Sequence, residues 1–233
     1  LVFPVIVLSV LFSGIVAGPL ARRLGVAEAD PQGVLIVGAG LAARELGIAL
    51  RDLGLDVLLV DTNPRNTAAA RTSGLRTWHG SVLSQRFAEE AELAGIGHCI
   101  AMTPSSEVNR LALRQFQTTF GRAHVFRTAN LAGGREEQNM PGRVLFPAAL
   151  TVDALRDRLQ AGERIRATKL TEQFGAEQYA AQYPSPALPL FVATADRKLE
   201  FFTADQPASL RAGVTVLTLV PPTPPKLSDP AAG

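Results

Sequence analysis

A chain of 233 residues that is 47% hydrophobic and carries a formal net charge of +2 can bury one ordinary domain core, with smaller pieces beside it. The pI near 9.0 comes from a small basic excess without a long basic run, which argues against nucleic acid as a partner. A single cysteine, Cys99, excludes an internal disulfide and suits a reducing compartment.

Residues 1–20 (LVFPVIVLSVLFSGIVAGPL) contain no charge, and Arg22 and Arg23 follow at once. About twenty helical residues span a bilayer core, and positive charge after the span marks a cytoplasmic exit. A secretory signal would place its charge ahead of the apolar run instead. Residues 1–23 are therefore expected to be a transmembrane helix, the alternative being a buried helix of a soluble protein, since Pro4 and Pro19 interrupt the pattern. Because Leu1 lies inside the apolar run, it reads as the end of a longer membrane domain.

A turn at residues 30–33 leads into VLIVGAGLAARELG, residues 34–47. The apolar run 34–37 predicts a strand that ends at Gly38. Ala42, Leu46, Ala49, Leu50 and Leu53 recur at helical spacing behind Gly40. Strand, glycine turn and helix is the order of a dinucleotide-binding unit. Gly38 makes the tight turn, Gly40 lets a pyrophosphate approach the backbone, and the small Ala43 allows close helix packing. A second apolar run, 57–60, ends in Asp61, where an acid can accept hydrogen bonds from ribose hydroxyls. That acid favours an unphosphorylated ribose (NAD, AMP, ADP or ATP) over NADP.

The alternation then continues. A helix is expected over 64–73, with Asn63 as cap and Pro64 in the first turn, followed by a strand at 75–78. A helix at 83–93 and a strand at 98–102 come next. Ser105 or Ser106 caps a further helix that runs to residue 120. Strands at 123–127 and 143–146 and a helix at 151–162 complete a doubly wound, Rossmann-like parallel sheet over residues 33–162. Its crevice lies beyond the carboxyl ends of the strands. The expected ligand contacts are Gly38, Ala39, Gly40, Leu41, Ala42, Asp61, Thr62, Gly80, Ser81 and Thr103.

From residue 163 the texture changes. Strands are expected at 164–170, 190–194, 199–203 and 214–220, with a Gln/Ala/Tyr/Pro-rich stretch at 173–189 between the first two. Residues 163–220 thus read as a small all-β appendage, too small to stand without its neighbour. The Pro-rich residues 221–233 read as a disordered tail.

A cytoplasmic-exit helix joined closely to a GxGxxA unit resembles the last transmembrane helix and regulatory domain of bacterial monovalent cation:proton antiporters. Their regulatory unit is the RCK, or KTN, nucleotide-binding domain, of the TrkA-N type. The segments that carry the resemblance are GPLARRLGV, VLIVGAGLAARELGIAL, VLLVDTN and GIGHCIAMTPSSEVNRLALRQFQTTFG. Thr103, Glu107 and Asn109 come close to the Thr-x-x-Asp/Glu-x-Asn pattern frequent after the fourth strand of RCK domains, with one additional residue before the acid. Two departures stand out: Gly80-Ser81 replaces the usual Gly-Asp, and Ala43 replaces the third glycine.

The resemblance implies a cytoplasmic regulatory domain at the inner membrane. It would bind NAD(H) or an adenine nucleotide, pair as a homodimer, and gate exchange of a monovalent cation (Na⁺ or K⁺) for a proton by a transmembrane antiporter domain outside this chain. The alternatives are an NAD-dependent oxidoreductase and a ligand-free Rossmann scaffold for dimerisation. An enzyme is the less expected reading. His79, His98 and His124 lie in or beside strands with no partner carboxylate in view. Cys99 reads as a buried inert thiol, and Glu89, Glu90 and Glu92 as a solvated helix face without metal-ligand spacing.

Overall fold

A computed structural model of the chain describes residues 30–129, 140–146 and 150–222. The transmembrane helix expected over 1–23 and all but the first two residues of the tail lie outside the described residues. Among the described residues no helix is long and apolar enough to cross a membrane. Residues 32–233 form the second of two compact units, and both sheets belong to it.

The first strand, β1 (Gly33–Val37), is buried at every position. Such a continuous β-branched and aliphatic run suits a strand covered on both faces, because a parallel sheet has no solvent side. The helix α1 (Leu41–Asp52) buries Ala42, Ala43, Leu46, Gly47 and Leu50, one stripe at helical period. Then come β2 (Val57–Asp61), α2 (Pro64–Thr72) and β3 (Arg76–His79). Asn63 caps α2 by accepting from the Arg65 N–H. The short α3 (Gln85–Glu90), β4 (Ile96–Ala101), α4 (Ser106–Phe120), β5 (Val125–Arg127) and β6 (Arg143–Val144) complete the large sheet.

Its strand order is β3-β2-β1-β4-β5-β6, and every neighbouring pair is parallel. Val34 to Val37 of β1 pair with Val57 to Val60 on one side, and with His98 to Ala101 on the other. The order reverses between β1 and β4, so α1 and α4 cover opposite faces. Leu46 and Leu50 of α1 join one core cluster with Val34, Ile36 and Ile100, whereas Leu113 and Phe116 of α4 join another with Leu35, Val37 and Cys99.

The helix α5 (Val152–Gln160) leads to the second sheet. That sheet is antiparallel in the order β7-β10-β8-β9, built from β7 (Arg164–Lys169), β8 (Leu188–Ala193), β9 (Leu199–Phe201) and β10 (Thr215–Val220). It does not stand apart. Leu190, Phe191, Leu217 and Leu219 share one apolar cluster with α1, α5 and the large sheet. A bridge between Leu145 and Thr203, with the Phe146 N–H donating to the Phe202 carbonyl (2.7 Å), ties it to the end of β6. The β6 edge of the large sheet is thereby partly covered, which pairs some of its backbone groups.

One expectation is corrected. The appendage is not all β, because residues 173–189 contain a helix, α6 (Ala176–Gln182). It spans under two turns and buries only Tyr179, so no apolar periodicity announced it. Smaller differences lie at element ends. Residues 122–124 form a 3-10 turn ahead of β5, and α3 begins only after its Ser84 cap and stops at Glu90.

Candidate functional site

All the strands of the large sheet end on one side, and the loops after β1 and β4 part where their helices diverge to opposite faces. A crevice opens there for topological reasons alone. It is a cavity of about 610 Å³, lined by Gly38, Gly40, Leu41 and Ala42 after β1, Asp61 and Thr62 at the end of β2, Gly80 and Ser81 after β3, and Thr103 after β4. Of the residues expected from sequence, only Ala39 is absent from the wall. It is fully buried and serves from behind, its N–H donating to Asp61 Oδ2 at 2.8 Å.

The two glycines of the turn have different physical reasons. Gly38 adopts φ +112°, and a Cβ there would lie 2.8 Å from the Met102 carbonyl oxygen, so the fold itself demands glycine. Gly40 has φ −62°, which any residue adopts, and a Cβ there would meet nothing within 4 Å. No protein neighbour explains Gly40. It borders open cavity, so an added methyl would project into the empty space.

Behind Gly40, the N-terminus of α1 has no side-chain cap. By contrast Asn63, Ser84, Ser105 and Thr151 cap α2, α3, α4 and α5. The N–H groups opening α1 and the positive end of the helix dipole therefore face the cavity without a competing oxygen, an arrangement suited to an anion.

Asp61 stands across the mouth. Its Oδ2 accepts from the Ala39 N–H (2.8 Å) and from Asn66 Nδ2 (2.9 Å), and its Oδ1 accepts from the Asn63 N–H (2.8 Å). Three donors fix the carboxylate, leaving roughly one of its four acceptor sites for a hydroxyl of a ligand. Thr103 faces the cavity with its hydroxyl turned inward, donating to Asn109 Oδ1 at 2.7 Å, while Asn109 Nδ2 donates to the Thr103 carbonyl at 2.9 Å. The Thr/Asn spacing noted in the sequence is thus a clasp that holds the β4–α4 loop. Glu107, its acidic neighbour, points to solvent and pairs with Arg110 at 3.6 Å. Ser81 Oγ accepts from the Leu83 N–H (3.2 Å) and so closes its own turn.

Sequence reasoning missed Asn63 and Asn66 as wall residues, and it missed the contribution of α5, whose Val152, Asp153 and Arg156 close one side of the cavity. Asn66 lies one turn into a helix capped at Asn63, which was a usable signal. Nothing local announces Arg156.

His98 and His124 gather elsewhere, whereas His79 is the exposed last residue of β3, in register with Asp61 of β2 but not on the cavity wall. His98 is 5% exposed and stacks on His124 at 5.0 Å, with the Phe201 ring also 5.0 Å from it. This group lies between the two sheets and away from the cavity wall. Cys99 is fully buried, and desolvation pushes its thiol far above the ordinary range, so it stays protonated. Among the described residues no group of His, Cys, Asp and Glu is arranged to hold a metal ion. The wall offers hydrogen-bond acceptors for hydroxyls, backbone donors for an anion and aliphatic surface. Among the described residues the wall contains no histidine, cysteine, lysine or tyrosine.

Residues 34–136 match the TrkA-N domain. Comparison with curated proteins finds no match. Among solved structures the chain is similar to the NAD(P)-binding domain of an exopolyphosphatase-related protein from Archaeoglobus fulgidus, with 15% identity, 55% of this chain and 95% of that one covered, and a TM-score of 0.42. It is similar also to the TrkA-N domain of the inner membrane protein ybaL from Escherichia coli, at 16% identity over 45% of this chain and 78% of that one, with a TM-score of 0.39. The GsuK channel bound to NAD matches at 14% identity over 84% of this chain and 37% of the channel chain, with a TM-score of 0.42.

Proposed function

We propose that this chain is a nucleotide-binding regulatory module of the TrkA-N kind, which binds NAD(H) or an adenine nucleotide and gates a membrane monovalent cation:proton antiporter. One observation carries the nucleotide reading: an uncapped helix N-terminus, a glycine with no protein neighbour and a fixed carboxylate surround one cavity. The first suits phosphate, the second makes room for it, and the third accepts a ribose hydroxyl. The match of residues 34–136 to the TrkA-N domain supports the same reading.

The regulatory reading is preferred to a catalytic one because the carboxylates of the described wall are Asp61 and Asp153, and Asp61 is already held by three protein donors. Ligand acts by binding two states of the assembled transporter unequally. The transporter lies at the cell membrane with this module on its cytoplasmic side, and the modules pair as homodimers. The test is calorimetric titration of the full chain, wild type and Asp61→Ala, with NAD, NADH, AMP, ADP and ATP. Wild-type binding that weakens at least roughly tenfold in the variant supports the site, since a hydrogen bond to a charged group contributes about 1.5–3 kcal/mol. Equal affinity in both proteins moves the ligand elsewhere. Silence with every nucleotide leaves a ligand-free scaffold. Ion exchange by the intact transporter in vesicles, with and without the ligand so identified, then tests the gating.

A further inference from the structure

We propose that Arg156 reads the phosphates of the ligand, and that the cavity therefore selects a nucleotide carrying a pyrophosphate over a nucleoside or a monophosphate. This rests on the nucleotide reading above and names the class of nucleotide.

Among the described residues on the cavity wall, Asp61 and Asp153 carry negative charge and Arg156 is the one basic side chain. An anionic ligand entering beside two carboxylates needs a cation, and the N–H groups of α1 supply only part of it. Arg156 comes from a rigid element. Leu155 (0% exposed) and Leu159 (5%) seat α5 in the core shared by both sheets, and Thr151 caps the helix by accepting from the Ala154 N–H at 3.0 Å. The helix thus places Arg156 on the cavity wall from a fixed base.

The present partners of Arg156 are replaceable. Its Nη1 lies 2.7 Å from Asp153 Oδ1 and its Nη2 3.2 Å from Asp157 Oδ1, with the arginine side chain 44% exposed. Pairs between solvated groups contribute little to stability. A phosphate accepts the planar guanidinium in two parallel hydrogen bonds, so the exchange favours the ligand. A phosphate seated on the α1 N-terminus leaves the next one to be met from α5. A ligand with none leaves Arg156 on its own helix.

The experiment is calorimetric titration of the full chain, as wild type, Arg156→Gln and Arg156→Lys, with adenosine, AMP, ADP and NAD, beside thermal melting of each protein without ligand. The expected result is unchanged adenosine affinity, a small loss for AMP, and a loss of roughly 10- to 100-fold for ADP and NAD in the glutamine variant. Arg156→Lys falls between, because it keeps the charge and loses the fork. Melting stays the same, since the pairs removed are exposed. An equal loss for adenosine and ADP, or no loss for ADP and NAD, overturns the role of Arg156 while leaving Asp61-dependent nucleotide binding intact. A wild-type protein that binds no nucleotide overturns both readings.

Discussion

The two sheets of this protein meet in one core and yet differ in what they can do. In the parallel sheet every strand points the same way, so the loops after β1 to β4 and the helix starts that follow converge on one side, where the cavity lies. In the antiparallel sheet successive strands run in opposite directions, which spreads the strand ends over both sides and focuses no set of helix dipoles. The comparison teaches that the second sheet contributes to function through what it supports. Phe191 and Leu217 are buried against the same cluster as α1 and α5, the helices that shape the cavity.

The largest expected effect tests whether the two sheets are energetically one. Phe191 is fully buried and packs edge-on against Phe146 (5.8 Å) and Phe201 (5.4 Å). Replacing it by alanine should cost about 3–5 kcal/mol and lower a single melting transition reported alike by both sheets. Two separate transitions, with the parallel sheet unmoved, would break the idea of a shared core.

Next come the glycines of the first turn, which separate what the fold needs from what the ligand needs. Gly38→Ala should cost about 2–4 kcal/mol, since it combines a strained φ with a backbone clash. Gly40→Ala should melt within about 0.5 kcal/mol of wild type, as expected away from any packed neighbour. Its nucleotide affinity should nonetheless fall roughly tenfold or more, which titration will read directly. Binding unchanged in Gly40→Ala would detach the cavity from the phosphate.

A smaller effect is expected at the helix starts. Thr151→Ala should destabilise by about 1 kcal/mol in denaturant titration, because the Ala154 N–H loses its side-chain acceptor. The smallest is expected at the rim of the antiparallel sheet. Arg211 donates a hydrogen bond to Glu200 and holds its carboxyl below the usual range. A depressed folded-state pKa gives stability that is present above the unfolded pKa and lost as pH falls through the folded one. Glu200→Gln should therefore cost about 0.5 kcal/mol at neutral pH, and the difference should vanish in acid below the carboxylate range.

Much of the large sheet was legible in the sequence because its signals are local. The buried run of β1, the stripe on α1, the caps at Asn63 and Ser105 and the acid closing β2 each act within a few residues of chain, where strand and helix periods are visible. Those signals also determined the candidate site at Gly38, Gly40, Asp61 and Thr103, since loops after parallel strands must share one side once the alternation is known. Tertiary structure alone decided the rest. The short α6 is held by the burial of Tyr179 and carries too few apolar positions to show a period. Arg156 reaches the cavity only because α5 packs into a core assembled from both sheets, a contact between segments far apart in the chain. Gly38 and Gly40 look alike in the sequence, and only the packed neighbours of one and the empty space beside the other tell them apart.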